Sequence, residues 1–256
     1  MAKRHEGKTV VISGAASGIG QASAVRLAGE GALIIIADRA KADETLRAVE
    51  AVGGKAVAVQ CDISDPASVA VLKAKVETNG GNCDILVNNA GIYPVQTFDE
   101  ITFEDWRHVL SVNLDSMFLM AKAFIDGMRR KGWGRIINFA SDTVSLTVPD
   151  FVHYITSKAG VIGFTRSLAT EFGTHGVTVN AIAPGLTRTA GTLARREIPG
   201  AMTNAQLFDL MANMQSIKRG EQVSDLVGAV SFLASDDAAF ITGQTLYVNG
   251  GLTRTT

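Results

Sequence analysis

Short apolar, β-branched runs alternate with longer mixed stretches from one end of the chain to the other. The short runs are "TVVISG" (9–14), "ALIIIAD" (32–38), "KAVAVQCD" (55–62), "DILVNNA" (84–90), "RIINFAS" (135–141), "VTVNAIAPG" (177–185) and "QTLYVNGG" (244–251). Several are continuously apolar rather than alternating, as expected of parallel strands covered on both faces. Helix-length runs lie between them at 18–30, 41–53, 66–79, 103–130, 154–173 and 222–234. The alternation predicts an α/β fold: a doubly wound parallel sheet of about seven strands with helices on both faces. No linker or repeat divides the chain, so one domain over 1–256 is expected. One connection breaks the rhythm. Residues 186–220 are longer and more mixed than the others, and a long insertion after a strand's C-terminal end predicts a lid. Its Leu193, Met202, Leu207, Leu210, Met211 and Met214 either line an apolar pocket or pack the lid onto the sheet.

Composition narrows the function classes. Of 256 residues, 46% are hydrophobic and 19% charged, enough for one large core and no case for disorder. The net charge of −1 comes without a basic block, which argues against nucleic acid or an anionic membrane as partner. The longest apolar runs are too short to span a bilayer. The opening "MAKRHEGKTVVISG" lacks the apolar core of a secretory signal, so a cytoplasmic protein is expected. Cys61 and Cys83, without metal-like spacing to any His, read as reduced thiols, and no metal site is expected.

The first strand runs into "SGAASGIG", with Gly14, Gly18 and Gly20 immediately before a helix pattern. Glycines there allow a tight turn and close backbone approach, so a pyrophosphate can sit on the helix N-terminus. The second strand ends in Asp38, eighteen residues after Gly20. A carboxylate at that position can accept hydrogen bonds from ribose hydroxyls and repels a 2′-phosphate, which points to NAD rather than NADP. Arg39 beside it could accommodate that phosphate, and Asp38 could also be a helix N-cap. The pattern is that of a Rossmann-type dinucleotide fold.

Further on, "HYITSK" places Tyr154 and Lys158 one helical turn apart on a common face. Taken alone, this is equally a half-buried Tyr with a Lys stem packing past it to water. Together with the other motifs, the sequence resembles the short-chain dehydrogenase/reductase family along essentially its whole length. Ser13 stands where the family's glycine motif begins with Thr. Asn88, Asn89, Ala90 and Gly91 match the family's Asn-Asn-Ala-Gly, Asp62 its adenine-side Asp, and Asn113 its mid-helix Asn. Ser141, thirteen residues before Tyr154, matches the catalytic Ser, although Ala140 precedes it where a second Ser is frequent. Pro184 and Gly185 match the Pro-Gly after the sixth strand, with Thr187 at the nicotinamide-amide position.

The resemblance implies a catalytic set of Asn113, Ser141, Tyr154 and Lys158. Tyr154 would be the general acid/base, its phenol brought from about 10 toward neutrality by the positive charge of Lys158 and of the oxidised cofactor. Ser141 would bond the substrate oxygen, and Asn113 would anchor a water in a proton relay. Cofactor contacts are implied for Gly14, Ser17, Gly18, Ile19, Gly20, Asp38, Asp62, Ile63, Asn89, Ala90, Gly91, Tyr154, Lys158, Pro184, Gly185 and Thr187. His153, beside Tyr154, points off the helix elsewhere and reads as structural or as pocket rim.

For substrate, the stretches "CDILVNNAGIYP", "FLMAKAF", "GWGRIIN" and "FLASDDAAFITGQTL" are similar to the bacterial 1-phenylethanol dehydrogenases within the family. Tyr93, Thr143, Val144 and Leu193 are the candidate substrate-pocket residues. They are apolar or hydroxylic, and no Arg or Lys lies in 142–153 to grip an acidic substrate. Arg188, Arg195 and Arg196 in the lid read as a solvated face. A hydrophobic secondary alcohol or its ketone, with NAD, is the reading these residues support. A 3-oxoacyl-thioester reductase, a pyridoxal or sugar-alcohol dehydrogenase, and a non-catalytic cofactor-binding scaffold are the alternatives. The family resemblance implies a homotetramer.

Overall fold

The computed structural model describes residues 3–194 and 202–254; Arg195 and Arg196 lie outside them. The strands are β1 (Thr9–Ser13), β2 (Leu33–Asp38), β3 (Lys55–Gln60), β4 (Ile85–Asn88), β5 (Gly134–Phe139), β6 (Val177–Pro184), the two-residue β7 (Thr187–Arg188) and β8 (Glu221–Gln222), and β9 (Thr245–Val248). Seven of them make one sheet in the order β3-β2-β1-β4-β5-β6-β9, and every pairing in it is parallel. β7 and β8 pair separately. The helices are α1 (Gly18–Gly29), α2 (Asp43–Ala51), α3 (Pro66–Gly80), α4 (Phe103–Leu110), α5 (Ser116–Lys131), α6 (Val152–Phe172), α7 (Ala190–Leu193), α8 (Asn204–Met214) and α9 (Val223–Leu233).

The strands read as continuous apolar runs because both faces of the sheet are covered. Val10, Ile12, Ile34, Ile36, Ile85 and Val87 pack on one face against Leu27 of α1 and Leu226 and Val230 of α9. The alternate residues Val11, Ile35, Leu86 and Ile136 pack on the other against Leu72 of α3 and Met120 and Phe124 of α5. Strand order reverses between β1 and β4, and such a reversal opens a crevice at the carboxyl ends of the strands.

The predicted single helix over 103–130 is interrupted. Between α4 and α5 the residues Ser111–Asp115 form a π turn. The Asn113 side chain is fastened there to the backbone of Ile92, and the Ser116 hydroxyl donates back to the Val112 carbonyl at 2.6 Å. Across this turn Phe103–Lys131 has the length and apolarity of a membrane span, but half of it is buried within the protein. The strand predicted over 84–90 ends at Asn88, which puts Asn89, Ala90 and Gly91 in the loop beyond it. Ser141 likewise lies past the end of β5.

Among its described residues the stretch 186–220 carries β7, α7 and α8. Its apolar residues do not behave as a set: Leu193, Met202, Leu210 and Met214 are exposed. Phe208 is the buried anchor of α8, with the Arg188 guanidinium 4.5 Å from its ring centroid. Arg188 therefore stacks on an aromatic rather than on a solvated face.

Leu86 is fully buried in β4, between β1 and β5. Leu86→Ala is expected to cost about 2–5 kcal/mol, read as a lower urea midpoint at unchanged denaturant slope.

Candidate active site

The crevice begins at the end of β1. Gly14 (φ 67°) and Gly18 (φ 60°) take backbone conformations that suit glycine, and a Cβ on Gly14 would lie 2.7 Å from the Ala90 Cα. A Cβ on Gly20 would collide with the Gly14 carbonyl and come within 2.6 Å of the Asn89 amide nitrogen. Ser17 caps α1 through its backbone alone, without a side-chain bond to the first turn. The N–H groups at the start of α1, with Ile19 inside that turn, are thus open toward the crevice, a suitable seat for a pyrophosphate.

Asp38 closes β2 at the rim. Its Oδ2 accepts from the Ala16 N–H and its Oδ1 from the Ala40 N–H, each at 2.9 Å. The carboxylate thereby braces the glycine loop and keeps lone pairs for a further donor. Arg39 leans toward the end of β3, 3.8 Å from the Asp62 carboxylate. Asp62 sits below the usual carboxylate range because Ser64 donates to it through both hydroxyl and N–H. Ile63 is buried in the core beside it. These residues and the glycine cradle fit a dinucleotide, whose nicotinamide end supplies or accepts a hydride when bound.

The loop after β4 is stitched to β1. The Ser13 hydroxyl accepts from the Asn89 and Ala90 N–H groups, while the Asn89 amide donates to the Ser13 and Gly14 carbonyls. Asn113 fixes the next stretch. It accepts from the Ile92 N–H at 2.8 Å, donates to the Ile92 carbonyl at 2.9 Å, and donates to Ser157 on α6 at 3.1 Å. Its side chain is therefore committed to protein partners at both its oxygen and its nitrogen. What it does is tie the Gly91–Tyr93 loop to the helix that carries Tyr154 and Lys158.

On α6 the Lys158 amine is buried and donates to the Phe139 carbonyl at 2.7 Å. It lies 5.8 Å from the Tyr154 ring centroid, and a Cβ on Gly91 would sit 3.4 Å from it. Burial brings the amine down to about 8. Burial also pushes the Tyr154 phenol up to about 12, against a hydrogen bond from Ser141 that lowers it. The expected depression of the phenol is thus not present in the chain alone, because desolvation outweighs the Ser141 bond. Positive charge brought in beside Tyr154 would act in the opposite direction.

Ser141 also receives the Thr143 hydroxyl at 2.9 Å. Val144 is half-buried in the same loop. The Tyr93 ring packs edge-on against Tyr154 at 6.4 Å, and Phe151, which the sequence did not single out, does so at 5.7 Å. Leu193 stands half exposed at the end of α7. Thr189, also missed, lies where a Gly18 Cβ would meet its methyl at 3.5 Å, and it bonds the Tyr93 phenol. The local signal for it was the Thr-x-x-Thr capping pattern of Thr189 and Thr192. His153 is buried, accepts the Tyr154 N–H on Nδ1 and reaches Gln96 through Nε2 at 3.0 Å, both structural contacts. At the far side of the crevice Gly185 donates to Glu221 at 3.0 Å, and so does the Thr187 hydroxyl at 2.5 Å, just after Pro184 ends β6.

A family model described as Enoyl-(Acyl carrier protein) reductase matches residues 14–253. The chain belongs to the short-chain dehydrogenase/reductase family. It is 37% identical over 248 residues to the 3-oxoacyl-[acyl-carrier-protein] reductase of Haemophilus influenzae, covering 96% of this chain and 98% of that one. It is 38% identical over 252 residues to 3β-hydroxysteroid dehydrogenase 1 of Eggerthella lenta, covering 97% and 94%. A dehydrogenase structure from Agrobacterium tumefaciens with bound NADP superposes with a TM-score of 0.87 at 35% identity, covering 98% of each chain. The protein is accordingly an NAD(P)-dependent oxidoreductase of this family.

Gly20→Ala tests the dinucleotide cradle. The added methyl must displace the glycine loop, so NADH affinity by fluorescence titration is expected to fall at least about tenfold while the circular dichroism spectrum is retained.

Proposed function

We propose that this enzyme interconverts a hydrophobic secondary alcohol and its ketone with NAD, using Tyr154 to move the proton. The observation that carries the reading is the setting of the Tyr154 phenol, bonded to Ser141 and flanked by the rings of Tyr93 and Phe151. In the oxidation the substrate carbon gives up a hydride, its O–H bond breaks, and the proton passes to the Tyr154 oxygen. Ser141 holds the substrate oxygen while charge develops there. Lys158, with the positive charge of the oxidised nicotinamide, offsets the burial that holds the phenol protonated. Asn113 keeps the loop and helix in register so that these groups meet. Glycine-motif residues, Asp38, Asp62, Asn89, Ala90, Gly91 and the Pro184–Thr187 segment would hold the dinucleotide.

The NAD preference rests on Asp38. Its carboxylate lies beside the glycine loop, where it would meet the adenosine ribose, and Arg39 is drawn toward Asp62. An aromatic wall beside the acid/base favours an aryl or alicyclic substrate such as 1-phenylethanol. The steroid-alcohol activity in the name of the Eggerthella relative accords with a hydrophobic alcohol. A second reading, reduction of a 3-oxoacyl thioester, is favoured by the name of the Haemophilus relative. It would call for a basic entrance to receive an acyl carrier, and residues 142–153 contain no Arg or Lys. A non-catalytic scaffold would not need Ser141, Tyr154 and Lys158 together. In the cell we place the enzyme in the cytoplasm as a homotetramer. Its β9 edge, with exposed Leu246 and with exposed Phe240 shortly before the strand, would serve as a surface for a second copy.

Nicotinamide absorbance with each enantiomer of 1-phenylethanol, and with a 3-oxoacyl thioester, under NAD(H) and NADP(H) in parallel, separates the readings. Turnover of the alcohol with NAD is expected, and Asp38→Ser should move the kcat/KM ratio toward NADP by at least about tenfold. Turnover confined to the thioester with NADPH would replace the first reading by the second.

A further inference from the structure

Two carboxyl groups are buried beside the catalytic residues and have no part in the scheme above. Asp142 follows Ser141 directly, and Glu221 lies beneath the Gly185–Thr187 segment; both are about 95% buried. Their hydrogen bonding differs. Glu221 uses both oxygens as acceptors, Oε1 from the Thr187 hydroxyl and Oε2 from the Gly185 N–H, which is the pattern of an ionised carboxylate. Asp142 faces the Asn249 side chain, while its Oδ2 is buried without a hydrogen-bond partner. An ionised oxygen left so would carry a large desolvation cost, whereas a protonated one does not carry the charge.

We propose that Asp142 is a neutral carboxylic acid in the working enzyme, paired with an ionised Glu221, and that this positioning residue keeps a negative charge away from Tyr154. The second half of the proposal rests on Tyr154 being the acid/base. Burial pushes both carboxyls up to about 7, Asp142 with the Glu221 charge acting in the same direction and the Asn249 side chain against it. The two hydrogen bonds held by Glu221 and the unpartnered Asp142 Oδ2 place the proton on Asp142. An ionised Asp142 in turn raises the Tyr154 phenol. The groups facing the pair are Tyr154 on α6, Asn249 after β9 and, on the Glu221 side, Arg219 and Asp225, which are bound to each other. The two titrations oppose one another: losing the Asp142 proton makes the Tyr154 proton harder to remove.

The sign of the pH dependence follows from proton counts. In the unfolded chain Asp142 loses its proton near pH 4, but in the fold it keeps it until about 7. The folded protein binds more protons across that window, so stability present below about pH 4 is lost as pH rises toward 7. Asp142→Asn is isosteric, cannot ionise and escapes that loss. Thermal denaturation from about pH 4 to about pH 8 should therefore show the variant melting near wild type at the acid end and several degrees above it at the alkaline end. Parallel curves at all pH values would overturn the proposal. If the variant does not fold, the infrared carbonyl band of a protonated carboxyl in the unmodified enzyme near pH 6, lost by about pH 9 and shifted to lower pH in Glu221→Gln, supports the same assignment; its absence overturns it.

The coupling to Tyr154 is read separately, with NAD bound, by phenolate difference absorbance of each protein against its Tyr154→Phe counterpart. The phenol is expected to titrate at lower pH in Asp142→Asn. An unmoved phenol alongside the melting difference would leave Asp142 neutral but overturn its role toward Tyr154. Neither readout needs turnover, so a wrong substrate class would leave both results standing.

Discussion

The site depends on a seam between two strands that are adjacent in space and far apart in sequence. β1 and β4 pair in parallel, Ser13 beside Asn88, and this is where the strand order of the sheet reverses. Just beyond that last pair, Ser13 and Asn89 exchange backbone and side-chain hydrogen bonds, and Gly14 comes close enough to Ala90 to exclude a Cβ on itself. A helix N-terminus, a glycine cradle and the start of the pocket loop all take their positions from that contact. Buried backbone groups at a loop have to be satisfied, and here side chains of the two loops satisfy each other.

From the seam the constraint passes outward through buried polar groups. Asn88 donates to Asn138 on β5, and Asn138 donates to Thr165 on α6, so the strand ends and the catalytic helix are held across the sheet. Asn113 makes the corresponding link above it, from the Ile92 backbone to Ser157, whose hydroxyl donates to the Tyr154 carbonyl. An apolar core alone tolerates small slips between layers. Directional bonds between buried groups do not, which is what positioning a phenol against a substrate oxygen requires. The π turn at Ser111–Asp115 is part of this arrangement, since it is where Asn113 meets Ile92.

The layers of the fold were legible because continuous apolar strands and longer helical runs differ in period and length, and the parallel sheet with two covered faces followed. The glycine cradle and the residues around Tyr154 were legible because each depends on residue type at a fixed local spacing. What the sequence did not disclose depends on contacts between distant segments. The π turn is set by Asn113 reaching a loop 21 residues away. Phe151 and Thr189 enter the site only once α6 and the β7–α7 segment have docked, and the exposure of Leu193 and Met214 depends on how α7 and α8 lie. The lowering of the Tyr154 phenol was expected from Lys158 together with the charge of the oxidised cofactor. In the chain by itself the amine donates to the Phe139 carbonyl and burial holds the phenol up.

The central claim is that the Tyr154 hydroxyl moves the proton, over and above any contact the Tyr154 ring makes with the dinucleotide. It is tested most directly by measuring NADH binding and hydride transfer on the same preparation of Tyr154→Phe. Wild-type affinity for NADH, with turnover reduced by about 10²–10⁴ or more, is the predicted result. Turnover near the wild-type rate in a variant that still binds NADH would contradict the account.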